Sequence, residues 1–264
     1  MSNPRASAPA PARSSVALRA ALAFAALTAA AAPVAPADGI PDSCRQLIVA
    51  KAPDWSSHRA SLAVYERESA KKPWKPAFKS PIPALLGRNG MAWGRGVKEF
   101  KGGDIPPKRE GDKKAPAGIF KVGAVFGYAK ALPEGSDPRY PYRQVTEWDA
   151  WVDDPENPHY NRHYVANPKN VPAWFSKQKM RHGDFAYAWL LEIRHNADPP
   201  VPGFGSAIFF HIRRGEDRPT AGCTTMKKED LESILKWLRH GSDPHYVLLP
   251  AAEYEVKKSA WKLP

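Results

Sequence analysis

Phe209-Phe210-His211-Ile212-Arg213-Arg214-Gly215-Glu216-Asp217-Arg218-Pro219-Thr220-Ala221-Gly222-Cys223-Thr224-Thr225-Met226 is the stretch on which the rest of the chain turns. The apolar run Ala207 to Ile212 has the length and content of a buried strand. His211 lies late in it, where burial lowers an imidazole's pKa and rigid neighbours fix its ring. A polar Gly/Pro loop then turns the chain back, and Cys223 arrives twelve residues after His211, behind a glycine and just ahead of a helical pattern. A loop of that length can return the thiol to the side of the imidazole. A thiol titrates near pH 8.5 in water (roughly), and only its thiolate is a good nucleophile. A histidine within reach takes the proton, a helix N-terminus further favours the thiolate, and Gly222 lets backbone amides approach a developing oxyanion. These are the parts of a cysteine acyl-transfer site. A second reading stays open: His211 as a satisfied core histidine, and Cys223 in a disulfide with Cys44, the one other cysteine.

Outward from this stretch the pattern is mainly β. Gln46 to Ala50, Ser61 to Tyr65, Ala117 to Val122, Tyr187 to Ile193 and Tyr246 to Leu249 read as strands. Leu85-Leu86, Arg88-Asn89-Gly90 and Met91-Ala92-Trp93 read as strand, turn, strand, with Asn-Gly as the hairpin signal. Lys71 to Pro83 is too interrupted for a central strand. Leu231, Ile234, Leu235 and Leu238 recur at i, i+3, i+4, i+7, which predicts one amphipathic helix, acidic early and basic late as its dipole favours. Residues 129–183 hold seven prolines and three tryptophans without a sustained period, the profile of a long covering loop or lid.

The N-terminus is a targeting segment in composition. Arg5, Arg13 and Arg19 are followed by an apolar run from Ala20 to Ala32 and by Ala35-Pro36-Ala37, which predicts a signal peptide over residues 1–37. The run is too short for a permanent bilayer-spanning helix. Removing it takes three positive charges from a chain of net charge +12 and leaves about +9. Such a charge suits polyanions, and for an exported protein an anionic envelope polymer suits better than nucleic acid, for which no recognition signature is present. Lysines that simply keep the protein soluble fit as well. With 43% hydrophobic and 25% charged residues over 264 positions, a fibrous, wholly disordered or polytopic membrane protein is excluded.

Other candidates read as structural. His159 and His163 have zinc-helix spacing, but Pro158 precedes them and no helical period surrounds them, so no metal is expected. Asp153 and Asp154 read as turn chemistry. Trp148, Trp151, Trp174 and Tyr160 read as packing that tethers the long loop rather than as sugar platforms. His195 reads as a strand-end residue.

Ala207-Ile208-Phe209-Phe210-His211 followed by Thr220-Ala221-Gly222-Cys223 resembles the His and Gly-Cys signature of the L,D-transpeptidase (YkuD-type) family, in the branch with a Thr-Ala-Gly-Cys motif. Gly87-Arg88-Asn89-Gly90, Trp93-Gly94, Ala115-Pro116-Ala117-Gly118-Ile119-Phe120, Trp151-Val152-Asp153-Asp154-Pro155 and Tyr160-Asn161 are similar to further family motifs. The resemblance implies one β-sandwich or barrel catalytic domain over residues 38–264, with a clear amphipathic helix after the cysteine. It implies a cofactor-free enzyme of the periplasm or cell exterior, acting on peptidoglycan stem peptides through a thioester, with a 3→3 cross-link or L,D-carboxypeptidase outcome. A monomer with no stable membrane insertion after leader cleavage is expected. Cys223 is then the nucleophile and His211 the base. Gly222, Cys223 and Thr224 supply amides near the oxyanion, and Thr220 is a further contact of the motif. Ala221 stands where commoner members have a second histidine, and Thr225 where they have Arg or Asn. Arg213, placed by strand alternation on the face of His211, is the candidate for the substrate carboxylate. The rival is a non-catalytic peptidoglycan-binding protein with the Cys44–Cys223 disulfide.

Overall fold

A computed structural model describes residues 39–98 and 104–264; the leader expected over residues 1–37 lies outside them. The strands are β1 (Gln46–Ala52), β2 (Arg59–Glu66), β3 (Lys75–Pro76), β4 (Ile82–Leu85), β5 (Met91–Trp93), β6 (Ala115–Gly127), β7 (Tyr142–Gln144), β8 (Asp149–Trp151), β9 (His163–Val165), β10 (Trp189–Ile193), β11 (Phe209–Ile212), β12 (Thr224–Met226) and β13 (His245–Pro250). The helices are α1 (Lys228–Trp237) and α2 (Ala251–Lys257). Sheet order β1-β13-β6-β10-β11-β12-β4-β2 returns to β1 through a β1–β2 pairing, so eight strands close a barrel with no free edge on that path. Alternation fills it: Ile48, Leu62, Phe120, Leu191, Phe210 and Tyr246 point inward and are almost wholly buried. The fold is mainly β, as expected.

Helix α1 forms where the apolar stripe predicts it; Leu231, Ile234, Leu235 and Leu238 are buried against the barrel. Three local expectations fail. A second helix, α2, exists, although Tyr254 is its one buried residue and so leaves no apolar period to read. The Asn-Gly turn forms, with the Gly90 amide donating to Gly87 at 2.9 Å and Gly90 at φ +74°, but it does not make a hairpin. Strand β4 pairs with β2 and β12, while β5 runs parallel to β6. The reason is that the Met91 amide donates to the Trp55 carbonyl at 2.9 Å, so a neighbouring loop claims the backbone that a hairpin partner would take. Third, the stretch predicted as strand from Tyr187 begins as a 3-10 turn, Phe185–Tyr187, before β10.

Residues 129–183 are more organised than a loop. They contain β7, the two-stranded sheet β8–β9, a 3-10 turn at Phe175–Lys177 and a small core of Ala150, Ala166 and Phe175 on which Trp148, Tyr164 and Trp174 pack. Fully buried Asp149 knits the segment: it accepts from Arg143 Nε at 2.5 Å and Thr146 Oγ1 at 2.6 Å, and lies 2.7 Å from His163 Nε2. Burial alone would raise its pKa, but these hydrogen bonds outweigh it and hold the carboxyl at about 2.

Candidate active site

Strands β11 and β12 run parallel, with Phe210 opposite Thr224 and His211 opposite Thr225. Paired residues of neighbouring strands share a face, and faces alternate along each strand. Phe210, Ile212 and Met226 therefore enter the barrel core, whereas Phe209 and Cys223, immediately ahead of β12, belong to a second cluster outside the wall, with Phe126, Val145 and Met180. His211 lies on that outer face. Alternation and the parallel register bring the predicted pair to one side of the wall.

The turn into Cys223 is fixed by Thr220. Its Oγ1 accepts the Gly222 amide at 3.0 Å and donates to the Cys223 carbonyl at 2.7 Å. Its backbone is held from both sides by Leu86 and Arg88 at 2.9 Å each. Gly222 has φ +153°, and a Cβ there would lie 3.0 Å from the Lys114 carbonyl, so the position demands glycine. The Gly222 amide thus already has a partner and is not available to an oxyanion, contrary to the sequence expectation. Thr224 Oγ1 faces the interior, 3.0 Å from Tyr246 Oη.

His211 is 3% exposed, and its Nδ1 lies 2.9 Å from the Ile212 carbonyl. A carbonyl only accepts, so Nδ1 carries the proton and Nε2 the lone pair. Burial lowers the imidazole to about 4, which keeps it neutral near pH 7. The Tyr187 ring meets it edge-on at 5.2 Å, and Arg214 lies 4.8 Å over Tyr187 while its Nε donates to Asp184 at 2.9 Å. Cys223 is half-buried; its Sγ donates to the Ala207 carbonyl at 3.5 Å. Burial pushes this thiol up to about 11, opposed by the Phe209 amide and by the charges of Lys108 and Arg214.

Ala207 sits at φ +53°, a strained conformation for a residue with a Cβ. Asn161 holds it there. Its Oδ1 accepts the Ala207 amide and Trp151 Nε1, each at 3.0 Å, and its Nδ2 donates to the carbonyls of His195 and Asn196 at 2.9 and 2.7 Å. Above this floor opens a cavity of about 140 Å³, walled by Cys223, Tyr187 and Phe209 on the barrel side and by Trp151, Lys179 and His182 from the 129–183 segment. Larger surface cavities, of about 270, 510 and 570 Å³, contain neither Cys223 nor His211.

Several expectations change. Both cysteines are free, and Cys44 is buried in the barrel core with its Sγ on the Gln46 carbonyl at 3.3 Å, so the Cys44–Cys223 disulfide does not form. Cys223 leads into β12 rather than into a helix, which removes the helix N-terminus from its surroundings. Strand β11 ends at Ile212, one residue too early to carry Arg213 onto the face of His211. Arg213 pairs with Glu216 at 2.5 Å, and it is Arg214 that reaches the site. His195 is not merely a strand end. It is buried, accepts the Arg95 amide on Nδ1 at 3.2 Å and lies 2.9 Å from the Phe204 carbonyl through Nε2, and burial lowers it to about 3. His163 bonds Asp149 and His159 stacks on Tyr164; among the described residues no group of three or more His, Cys, Asp or Glu could hold a metal. Arg214 and Lys108 carry no periodic or motif-like mark in the sequence; Tyr187 is marked only as the start of a strand run, and Asn161 by resemblance alone.

A family model described as YkuD, the L,D-transpeptidase catalytic domain, matches residues 61–247. The chain belongs to this family. The matched span starts in β2 and ends in β13, and so includes Cys223, His211 and the whole 129–183 segment. This is an L,D-transpeptidase-type domain, with peptidoglycan as its substrate class. No curated protein and no solved structure matches the chain.

Proposed function

We propose that the protein is an exported cysteine L,D-transpeptidase of the Thr-Ala-Gly-Cys branch, which acts on stem peptides through a thioester on Cys223. The observation that carries the reading is the state of His211: its Nδ1 proton is fixed on the Ile212 carbonyl, which leaves Nε2 unprotonated on the wall face that Cys223 shares. At neutral pH both groups are uncharged, so the proton moves as attack occurs rather than before it. The thiol turns from the Ala207 carbonyl toward His211. Sγ bonds to the carbonyl carbon between diaminopimelate and D-Ala, while Nε2 takes the thiol proton. The carbonyl oxygen becomes an oxyanion beside the Cys223 amide; the Thr224 amide, like that of Gly222, is already engaged, because the parallel register with Phe210 turns it into the β11–β12 ladder. The C–N bond then breaks, His211 returns its proton to the leaving D-Ala amine, and the acyl group remains as a thioester. An amine from a second stem peptide resolves it to a 3→3 cross-link, or water to a carboxylic acid, with His211 again the base.

Two further features support this reading. The 129–183 segment roofs the cavity over Cys223, as a substrate-covering lid would, and the basic head, apolar run and Ala35-Pro36-Ala37 suit cleavage and delivery to the peptidoglycan compartment. The test is to mix unreduced protein with a carbapenem, whose strained lactam carbonyl suits a thiolate, and to follow intact mass over long incubation. A stoichiometric adduct mapped to Cys223 and absent from Cys223→Ala is expected; a titratable Cys223 thiol that never acylates refutes the nucleophile. Mass spectrometry of muropeptides incubated with the enzyme then separates the cross-linking outcome from the hydrolytic one.

A further inference from the structure

Lysine is almost never fully buried without a partner, yet the Lys108 side chain is 3% exposed. Its Nζ donates to Asp112 Oδ1 at 2.5 Å and to the Arg109 carbonyl at 2.8 Å. Asp112 is in turn fixed by the Lys114 and Arg109 amides, at 2.8 and 2.7 Å. The ammonium is therefore a charge in a set place, not the end of a loose stem. That stem passes under two glycines. A Cβ at Gly205 would meet its Cγ and Cε at 3.1 and 3.2 Å, and a Cβ at Gly222 would lie 3.8 Å from its Cε. The carbon that bears the ammonium thus lies against the residue whose carbonyl carbon is bonded to the Cys223 nitrogen.

We propose that Lys108 is a positioning residue for the chemistry at Cys223: a fixed cation behind the Gly222–Cys223 peptide that favours the thiolate and the oxyanion formed at the Cys223 amide. The inference rests on the reading of Cys223 as the nucleophile. It also supplies what the fold took away, since β12 separates α1 from Cys223 and leaves no helix N-terminus to stabilise an anion there. The electrostatics agree in sign, because Lys108 is one of the charges that oppose the upward push of burial on the thiol.

The other charged and titratable groups near Cys223 are Arg214, Tyr187 and His211 on the barrel side, and Asp153, Lys177, Lys179 and His182 on the roof. Those facing Lys108 are Asp112 and His195. Arg214 acts on the thiol too, but it and its partner Asp184 are 30% and 26% exposed, where water screens them more than it screens Lys108. Turn-building alone gives no reason for an ammonium at this place, because Asp112 already ties the turn through backbone amides.

The experiment measures the pH dependence of Cys223 alkylation by iodoacetamide over pH 7–11, with peptide mapping to separate it from Cys44, in Lys108→Met, Lys108→Arg and Asp112→Asn. Lys108→Met, near in shape and uncharged, should slow the reaction roughly tenfold throughout the range below the wild-type midpoint, the rate equivalent of a midpoint about one pH unit higher. Asp112→Asn removes the opposing charge while keeping an oxygen for Lys108, and should move the midpoint the other way. Lys108→Arg should restore the wild-type profile. A structural role predicts no such reversal of sign: both variants would shift together, in step with lost thermal stability. A folded Lys108→Met with an unchanged profile overturns the proposal. If Lys108→Met does not fold, Asp112→Asn decides: a downward shift upholds the proposal and an unchanged or upward one overturns it. Wild-type protein that acylates with a carbapenem while the variants keep its profile refutes this inference alone; wild-type protein that never acylates refutes the nucleophile and this inference with it.

Discussion

Replacing Asn161 with alanine removes four hydrogen bonds at once, between 2.7 and 3.0 Å, from a residue that is 6% exposed. Each such bond contributes roughly 1 kcal/mol net, and buried groups left without partners cost more than the bond itself. Trp151 and Ala207 are half-buried and can recover water, whereas His195 and Asn196, whose carbonyls accept from the Asn161 amide, are buried. Asn161 also lies at φ +53°, which asparagine tolerates and alanine resists by roughly 1–2 kcal/mol. The expected loss is about 3–5 kcal/mol, a large part of a typical domain's 5–15 kcal/mol. At roughly 2–4 °C per kcal/mol for a domain of this size, that lowers Tm by roughly 10 °C. Urea titration with a two-state fit, checked by calorimetry, measures it. Carbapenem acylation of the folded fraction should also slow, because Ala207, freed from Asn161, no longer holds its carbonyl against the thiol. A loss below about 1 kcal/mol with unchanged acylation refutes the view that Asn161 couples the roof to the nucleophile.

Cys223→Ala should abolish the acyl adduct at little cost in stability, and His211→Ala should slow acylation by at least a hundredfold at neutral pH, about the lower bound for a lost general base; near wild-type acylation in either sinks the pair. Acid should unfold the protein early. His195 and His211 are held neutral at about 3 and 4 by burial, against about 6.5 in the unfolded chain. The unfolded state therefore binds more protons, and their contribution, complete above pH 6.5, is lost as pH falls through their folded values, at about 1.4 kcal/mol for each pH unit that separates the folded from the unfolded value. A Tm that stays flat from pH 6.5 to 4 contradicts this, as does a His211→Gln variant with the wild-type slope. Thiol titration of unreduced protein should find two free thiols in urea and one that reacts in the native state. Cys44 is fully buried, and burial raises it to about 12; a single thiol, or none, in urea contradicts the cysteine assignment.

What was legible in the sequence was whatever depends on short-range period and chemistry. Strands β1, β6, β11 and β13 announce themselves as short apolar runs because both faces are largely buried, β2 because one face is dry, and α1 because its apolar side repeats every three or four residues. His211 and Cys223 were legible because a lone histidine in an apolar strand and a Gly-Cys pair a dozen residues later are chemically conspicuous. Their placement on one side of the wall needs nothing but a loop and strand alternation.

The fold decided what depends on partners far along the chain. Barrel closure rests on β1 meeting both β2 and β13, about two hundred residues apart in the latter case. The Asn-Gly turn became a crossing point, not a hairpin, because Trp55 took the amide that pairing would need. A one-residue difference in where β11 stops exchanged Arg213 for Arg214, since alternation gives a side chain its direction only while the strand lasts. The 129–183 segment is organised around buried polar residues, Asp149 and Asn161, whose hydrogen bonds leave no hydrophobic period to read. Lys108 carries this furthest. A lysine in a basic, glycine-rich stretch reads as solvated surface, and only the tertiary structure, by laying its stem beneath Gly205 and Gly222, makes it a buried charge behind the Gly222–Cys223 peptide. Period and residue type are local properties, but burial and electrostatic field are set by everything that packs around a group, and that is known only once the chain has closed.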